Sequence, residues 1–400
     1  MQYIKKASLY LILFMISANV VHSAEVGVNS QFSEKATLVL EEKLLDDKVI
    51  HGFYAINSNT RFNQMIEDKS INNFDHISFG WSTIDEENGE VFLTQERRLG
   101  DQLYDYYRPE GSDEVLNNMK SHSIDSSLMV YAPLSQFEDN FGTIFREKEI
   151  MNQIILAALD FNAVTIDFEF VNQDYQQSYL QFLRDLKAVL EVLNKQLYVT
   201  VPVSTNYNHY QHDEIFQIAD YVILMAHDYE AKWINGFYGN EPVLSPQSPI
   251  NTISQDISRI KGGLSDSSLI EKGLLQISFA STQWENINGY VDGQAYHPTY
   301  SMIYDRALNE VITNKQAYDT IVRRGESSLN PYILYTNKET GNLNTIWYED
   351  WTSVESKLKL VKEQGLGGIS LWYIGSIPNY YSGEIDLELD VWNRLGEEIR

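Results

Sequence analysis

The amino-acid sequence predicts an α/β protein folded as a single (β/α)8 TIM barrel. Three observations carry that expectation. Apolar runs of strand length recur eight times, amphipathic helical stretches separate most of them, and no internal repeat, low-complexity tract or Pro/Ser-rich linker divides the chain. With 400 residues, 43% of them hydrophobic, the chain can fill a large core. Barrels of this kind absorb about 250 residues or more as one unit.

The runs lie at 49–56, 75–82, 127–133, 163–171, 197–203, 220–226, 274–280 and 367–374. The clearest helix is expected over 175–195, where Tyr179, Phe182, Leu183, Leu186, Val189, Leu190 and Leu193 recur at helical spacing. Another precedes the last strand, with Val354, Leu358, Leu360, Val361 and Leu366 apolar and Lys357, Lys359 and Lys362 on its outer side. Strands alternating with helices imply parallel pairing and closure into a barrel. Two departures from the plain repeat are expected. Glu87-Asn88-Gly89-Glu90 signals a β-hairpin excursion after strand two. The long interval 281–366 between strands seven and eight should hold an α+β decoration. Its parts are a helix over 302–324, then a hairpin in which "PYILYTN" and "NLNTIWYED" flank the turn Lys338-Glu339-Thr340-Gly341.

The N-terminus has the order of a secretory signal peptide. Lys5 and Lys6 precede an uncharged run from Ala7 to Ala18 that is too short to span a bilayer, and the small residues Ser23 and Ala24 follow; an uncleaved membrane anchor is the rival reading. The expected organisation is therefore a signal peptide at 1–24, a lead-in at 25–48 and one barrel domain at 49–400. The product is expected outside the cell or at its wall, without stable membrane insertion after signal removal, and as a monomer. There is no cysteine, which excludes disulfides, thiolate metal sites and thiol nucleophiles, and in an exported protein of this size fits a bacterium. The formal net charge of −26 is spread along the chain and opposes binding of nucleic acid through its phosphates. A neutral polymer suits the composition better, because the 26 tyrosines and 7 tryptophans provide faces on which sugar rings stack.

The most informative stretch is 162–169, "NAVTIDFE". Side chains alternate along a strand, so Thr165, Asp167 and Glu169 share one face, while Val164, Ile166, Phe168 and Phe170 share the other and can pack outward against helices. The polar set must point into the barrel, toward the C-terminal rim where barrel active sites lie. Two carboxylates about 7 Å apart along a strand cannot both ionise cheaply. One should keep its proton near neutral pH, as a general acid must. A structural alternative, two buried acids neutralised by Arg or Lys, suffers from the scarcity of basic residues at the strand ends. Tyr54, near the end of strand one, Trp81, after strand two, and Trp284, after strand seven, fall where barrel loops line a cleft; each is a candidate for sugar stacking, with ordinary packing as its alternative.

These residues resemble a known family, glycoside hydrolase family 18, the chitinase-like enzymes. "NAVTIDFE" looks like its DGxDxDxE signature. "YVILMAHDYE" (221–230), which includes Met225, is similar to its strand-six M-x-Y-D motif. "GLGGISLWYIG" (365–375) resembles its last strand, and "NPYILYTNKETGNLNTIWYED" (330–350) resembles the segment before that strand in the bacterial branch acting on peptidoglycan, including spore-cortex N-acetylglucosaminidases. The resemblance runs from about residue 50 to the C-terminus. It implies a retaining hydrolase cleaving β-linkages after N-acetylglucosamine, with the substrate's own 2-acetamido oxygen as nucleophile and no cofactor or metal. Glu169 would be the general acid, Asp167 would support the oxazolinium intermediate, Asp228 would help fix the sugar, and Trp372 would form the subsite floor. The sequence departs from the pattern at Asn162 and Ala163, which replace the leading Asp-Gly, at Thr165, which replaces the first aspartate of the DxD pair, and at His227, which stands where the family has tyrosine. An imidazole donor to the acetamido group, a structural role, or replacement by Tyr229 are all open for His227. Peptidoglycan is the expected substrate, followed by chitin oligosaccharides and the N-glycan core; a catalytically silent sugar-binding barrel and a scaffold or regulatory barrel are the alternatives of another class. His209 and His212 have no third ligand at metal-binding spacing, no G-x-S-x-G element occurs, and Gly262-Gly263 and Gly367-Gly368 read as turns.

Overall fold

A computed structural model describes residues 43–55, 58–84, 91–92, 98–99, 102–103, 107–108, 110–134, 148–204, 210–231, 242–287, 290–291, 317–379 and 387–399. These belong to one compact unit, Lys43–Arg400. The expected signal peptide and all but the end of the lead-in lie outside the described residues.

Eight parallel strands form the barrel: β1 (Val49–Tyr54), β2 (His76–Ile84), β3 (Asp125–Pro133), β4 (Ala163–Glu169), β5 (Gln196–Pro202), β6 (Tyr221–Met225), β7 (Gly273–Ser278) and β8 (Gly368–Trp372). Each pairs with the next, and β1 pairs with both β2 and β8, which closes the sheet. A helix follows each strand in turn: α1 (Asn59–Glu67), α2 (Ser112–Ser121), α3 (Lys148–Ala157), α4 (Gln176–Val192), α5 (His212–Ile218), α6 (Ile250–Gly263), α7 (Trp351–Gln364) and α8 (Val391–Ile399). The eight strand positions expected from the apolar runs are all occupied by barrel strands.

Alternation along the strands explains both layers of the core. Val164, Ile166, Phe168, Val199, Leu224 and Leu371 point outward and join one large cluster with the helices. The opposite parity faces the interior, where Phe53, Met129, Ala163, Tyr198, Ile223 and Leu274 form a second cluster. Gly367 and Gly368 are close-approach positions rather than the turn expected. A Cβ on Gly368 would lie 2.0 Å from the Val49 carbonyl oxygen, and one on Gly367 would lie 2.0 Å from that of Glu271. Only glycine lets β8 reach the backbones on either side of it and complete the closure. Gly262 and Gly263 end α6.

The excursion after β2 is seen as Val91–Phe92, paired antiparallel to the end of β2, with its turn outside the described residues. Between β7 and α7 stands an antiparallel sheet in the order Tyr290–Val291, Thr282–Ile287, Leu343–Trp347, Pro331–Asn337, Ala317–Arg324. The hairpin around 338–341 belongs to it. The helix expected over 302–324 needs correcting: Ala317–Arg324 is a strand, and 302–316 lies outside the described residues. Its Thr320, Ile321 and Val322 are β-branched and favour a strand once Pro331–Asn337 offers a partner edge.

A buried polar knot ties this decoration to α7. Lys357, expected on the outer side of its helix, is instead 0% exposed, because its Nζ is neutralised by Glu349 Oε2 at 2.9 Å. Asn330 donates to Glu349 at 2.7 Å, Ser353 donates at 2.6 Å, and Ser248 also bonds its carboxylate. Removing one member of such a pair strands the other charge without solvent. Lys357→Ala is therefore expected to lower unfolding free energy by about 3–5 kcal/mol, measured by guanidinium denaturation, whereas Lys357→Met combined with Glu349→Gln should lose clearly less. Equal losses would show that the charge pairing is irrelevant to the knot.

Candidate active site

On β4 the interior face carries Ala163, Thr165, Asp167 and Glu169 in ascending order, and Asp167 is 5% exposed. Its neighbour across β3 is Tyr131, and Glu169 lies level with Pro133 at the rim. On the other side Thr200 of β5 donates its hydroxyl to Asp167 Oδ1 at 2.5 Å. Beneath Asp167 the barrel is polar but uncharged. Thr165 Oγ1 lies 2.7 Å from both Ser78 Oγ and Ser127 Oγ, Ser78 reaches His51 Nε2 at 2.7 Å, and His51 Nδ1 reaches Ser370 at 2.8 Å. Burial holds His51 well below the usual histidine range, with His76 beside it adding to the effect. The position where the family signature has its first aspartate is therefore part of a network of neutral hydroxyls.

Both carboxyls are pushed above their ordinary ranges. Burial raises Asp167, opposed by the Thr200 hydrogen bond and by the positive charge of His227. Burial raises Glu169 as well; the charges of Asp167 and Asp228 add to the rise and His227 opposes it. Glu169, which among the described residues has no hydroxyl stabilising its anion in the way Thr200 serves Asp167, is displaced further. The pair is thus arranged for Asp167 to ionise while Glu169 retains its proton, which is the division of labour between a charge stabiliser and a general acid.

Glu169, Phe170, Pro202, Tyr210, Met225, His227 and Asp228 line one pocket at the rim. Residues on β4, β5 and β6 and the segments just after them thus converge, as the barrel geometry demands. His227 Nδ1 is 3.0 Å from Asp228 Oδ2 and its Nε2 is 2.7 Å from Gln276 Oε1. Asp228 is 52% exposed at its side chain and also accepts from Gln247. Trp372, at the end of β8, is partly exposed on the interior side, with its ring edge-on to Phe53 at 5.1 Å. Tyr229 donates to Asp256 of α6 at 2.9 Å, so its hydroxyl is held on the helix side and does not stand in for His227.

Three expected sugar-stacking residues are corrected by their placement. Tyr54 is on the outward parity of β1, packed with Phe62, Phe79 and Trp81, and its hydroxyl bonds Asn59. Trp81 is 1% exposed, with its ring on Phe79 and the Arg108 guanidinium 5.7 Å from its centre. Trp284 is buried inside the antiparallel decoration beside Trp347 and Val243. None offers an open face. His212 begins α5 with its ring against the Pro202 carbonyl, and among the described residues no group of three or more metal-binding side chains occurs; His209 lies outside them.

Phe170, expected on the outward apolar face, instead turns into the pocket lining, where its φ of 62° ends the strand's alternation. Residues not singled out from sequence are Tyr210 in the lining and, behind it, Thr200 and Gln276, which bond Asp167 and His227. The last two carried a usable signal. Each is a polar residue inside an apolar strand, at the same interior parity that made Asp167 conspicuous.

Residues 49–376 match the family model described as Glycosyl hydrolases family 18. The chain is 27% identical over 252 residues to the cortical fragment-lytic enzyme of Bacillus anthracis, covering 59% of this chain and 53% of that protein. It is 24% identical over 265 residues to a probable endochitinase of Orgyia pseudotsugata multicapsid polyhedrosis virus, covering 60% and 46%. The chain thus spans about half the length of these relatives. Among solved structures, the Bacillus cereus spore cortex-lytic enzyme SleL superposes with a TM-score of 0.63 at 18% identity, covering 88% of this chain and 74% of that one. A Cycas revoluta chitinase in complex with (GlcNAc)3 superposes with a TM-score of 0.63 at 16% identity, covering 88% and 99%. At these identities the superpositions speak for the fold.

The Thr200 hydroxyl favours the ionised form of Asp167, so its loss should raise that carboxyl further. Thr200→Val is expected to move the acidic limb of the kcat/KM profile to higher pH, while Thr200→Ser keeps it in place. A Thr200→Val profile identical to wild type would remove the hydrogen bond from the account.

Proposed function

The chain belongs to glycosyl hydrolases family 18, and from that premise we propose that it is a secreted, retaining glycosidase cleaving β-linkages after N-acetylglucosamine. The observation that carries this is the pair on β4: Asp167 on the barrel interior held by Thr200, and Glu169 above it at the rim, lining the pocket. Glu169 gives its proton to the glycosidic oxygen as the bond to the anomeric carbon breaks. The 2-acetamido oxygen of the same sugar attacks that carbon from the opposite face and closes an oxazolinium ring. Asp167, ionised, accepts the acetamido N–H and offsets the positive charge. Water then opens the ring, passing its proton to Glu169, and the product keeps the β configuration. Trp372 serves as the floor of the subsite, and Asp228 and Met225 as its wall.

Peptidoglycan or its fragments are the proposed substrate. Support comes from the resemblance of 330–350 to wall-lytic enzymes and from relatives named for cortical fragment lysis. Chitin oligosaccharides come second, since relatives and fold neighbours include chitinases. Export by the N-terminal segment and action at the wall as a monomer complete the proposal. Among the described residues no helix is long and apolar enough to cross a membrane.

Mass spectrometry of products from purified peptidoglycan and from chitin oligosaccharides tests this. Wild-type protein should release fragments with new reducing-end N-acetylglucosamine, and Glu169→Gln should be slower by about 10²–10⁴-fold with sugar binding retained. Unchanged turnover in Glu169→Gln, or a folded wild type that cleaves neither glycan, would contradict the proposal.

A further inference from the structure

His227 occupies the place of a family tyrosine, yet both of its ring nitrogens are already engaged. Nδ1 faces a carboxylate oxygen of Asp228 at 3.0 Å and Nε2 faces the amide oxygen of Gln276 at 2.7 Å. With the Gln276 amide oxygen turned to the ring both partners are acceptors, and only the imidazolium has two N–H groups to give them. The backbone is shaped for this contact. Asp228 has φ of 62°, a left-handed conformation uncommon outside glycine, and successive residues of a regular strand would point to opposite faces. Gln276 lies on the interior face of β7, 2% exposed, where it has no role in apolar packing.

From this geometry we infer that His227 is a fixed cation, clamped by Asp228 and Gln276, which keeps Asp167 ionised while Glu169 holds its proton. It is a positioning residue and not the acetamido donor. The inference rests on the roles given to Asp167 and Glu169 under the proposed function. Among the described residues, the ring touches Asp228 on its own segment and neutral Gln276 from β7, and it acts electrostatically on Glu169 and Asp167 from β4; Tyr210, before α5, lines the same pocket with its hydroxyl given to the Phe168 carbonyl. Among the described residues one ring thus interacts with three carboxyls. Burial alone would lower His227, but the charge and hydrogen bond of Asp228 and the bond to Gln276 oppose it and raise the ring above the ordinary histidine range; Glu169 adds to that rise only once it has lost its proton.

The clamp also answers the substitution at Thr165. A second carboxyl beneath Asp167 would offer a place to share a proton, whereas Thr165 sits among neutral hydroxyls and offers none. Help in ionising Asp167 must then come from beside it. A tyrosine at 227 would donate a hydrogen bond without bringing the charge.

The sign of the effect is determined. A positive charge lowers both carboxyls, so removing it raises both. His227→Tyr and His227→Gln should each shift the acidic and basic limbs of the kcat/KM profile to higher pH, by about one unit or more. A simple acetamido donor would be replaced by tyrosine with no such shift. The state of the ring is read independently on wild-type protein by NMR of labelled histidine. The resonance is assigned by its absence from His227→Gln or, should that chain not fold, from His227→Tyr. Protonation of both nitrogens at pH 7, with a midpoint well above the ordinary value of about 6.5, is expected. A ring with one N–H at pH 7, or a His227→Tyr profile matching wild type, overturns the clamp. The two failures separate. A neutral ring defeats the clamp whatever Glu169→Gln does, whereas turnover surviving in Glu169→Gln beside a charged ring defeats the catalytic roles and with them the clamp's purpose.

Discussion

Burying two carboxyls on one face of one strand is the constraint on which the site depends. Ionised carboxylates taken from water without partners are costly, and two of them at i and i+2 repel each other as well. The barrel's answer differs between the two. Asp167 lies deeper, receives the Thr200 hydroxyl, and has His227 within electrostatic reach. Glu169 lies at the rim, near Asp228, and is left to keep its proton. Difference in surroundings, with similar chemistry in the side chains, separates the two roles proposed for them.

That difference exists only because the sheet closes. Thr200 on β5, Gln276 on β7 and His227 just beyond β6 come together because each strand offers alternate residues to the same interior. Closure in turn depends on backbone contacts too tight for any Cβ at Gly367 and Gly368. Beside the apolar interior cluster, His51, Ser78, Ser127, Thr165 and Ser370 form a hydrogen-bonded plug below the pocket, a polar layer where such barrels commonly have branched apolar residues. The antiparallel decoration is anchored separately, through Glu349 and Lys357, and contributes its tryptophans to its own core.

Much of this could be read from the chain. All eight strands announced themselves as apolar runs, and the interruption of one run by Asp167 and Glu169 marked the site, because a polar residue at interior parity needs a reason. The same test applied to His51, Thr200 and Gln276 would have located the plug and the support of the carboxyls. What failed was parity at the rims. Tyr54 is one residue from Phe53, and that single step separates the outer layer from the interior. At Trp81 alternation itself breaks down, since the pairing of β2 with β3 shifts between Phe79 and Ser82. The strand Ala317–Arg324 was missed because its partner edge, more than local propensity, decides its conformation. The His227 clamp was beyond reach, since it needs a left-handed Asp228 and a residue nearly fifty positions away.

The central proposal is that the substrate's acetamido group, and no group of the protein, attacks the sugar while Asp167 and Glu169 support it. The most direct measurement is the anomeric configuration of the newly released reducing end, followed by proton NMR in the first minutes of hydrolysis before mutarotation. The account predicts the β-anomer first, with the α-anomer growing in only later. Initial release of the α-anomer would mean direct attack by water and would contradict it.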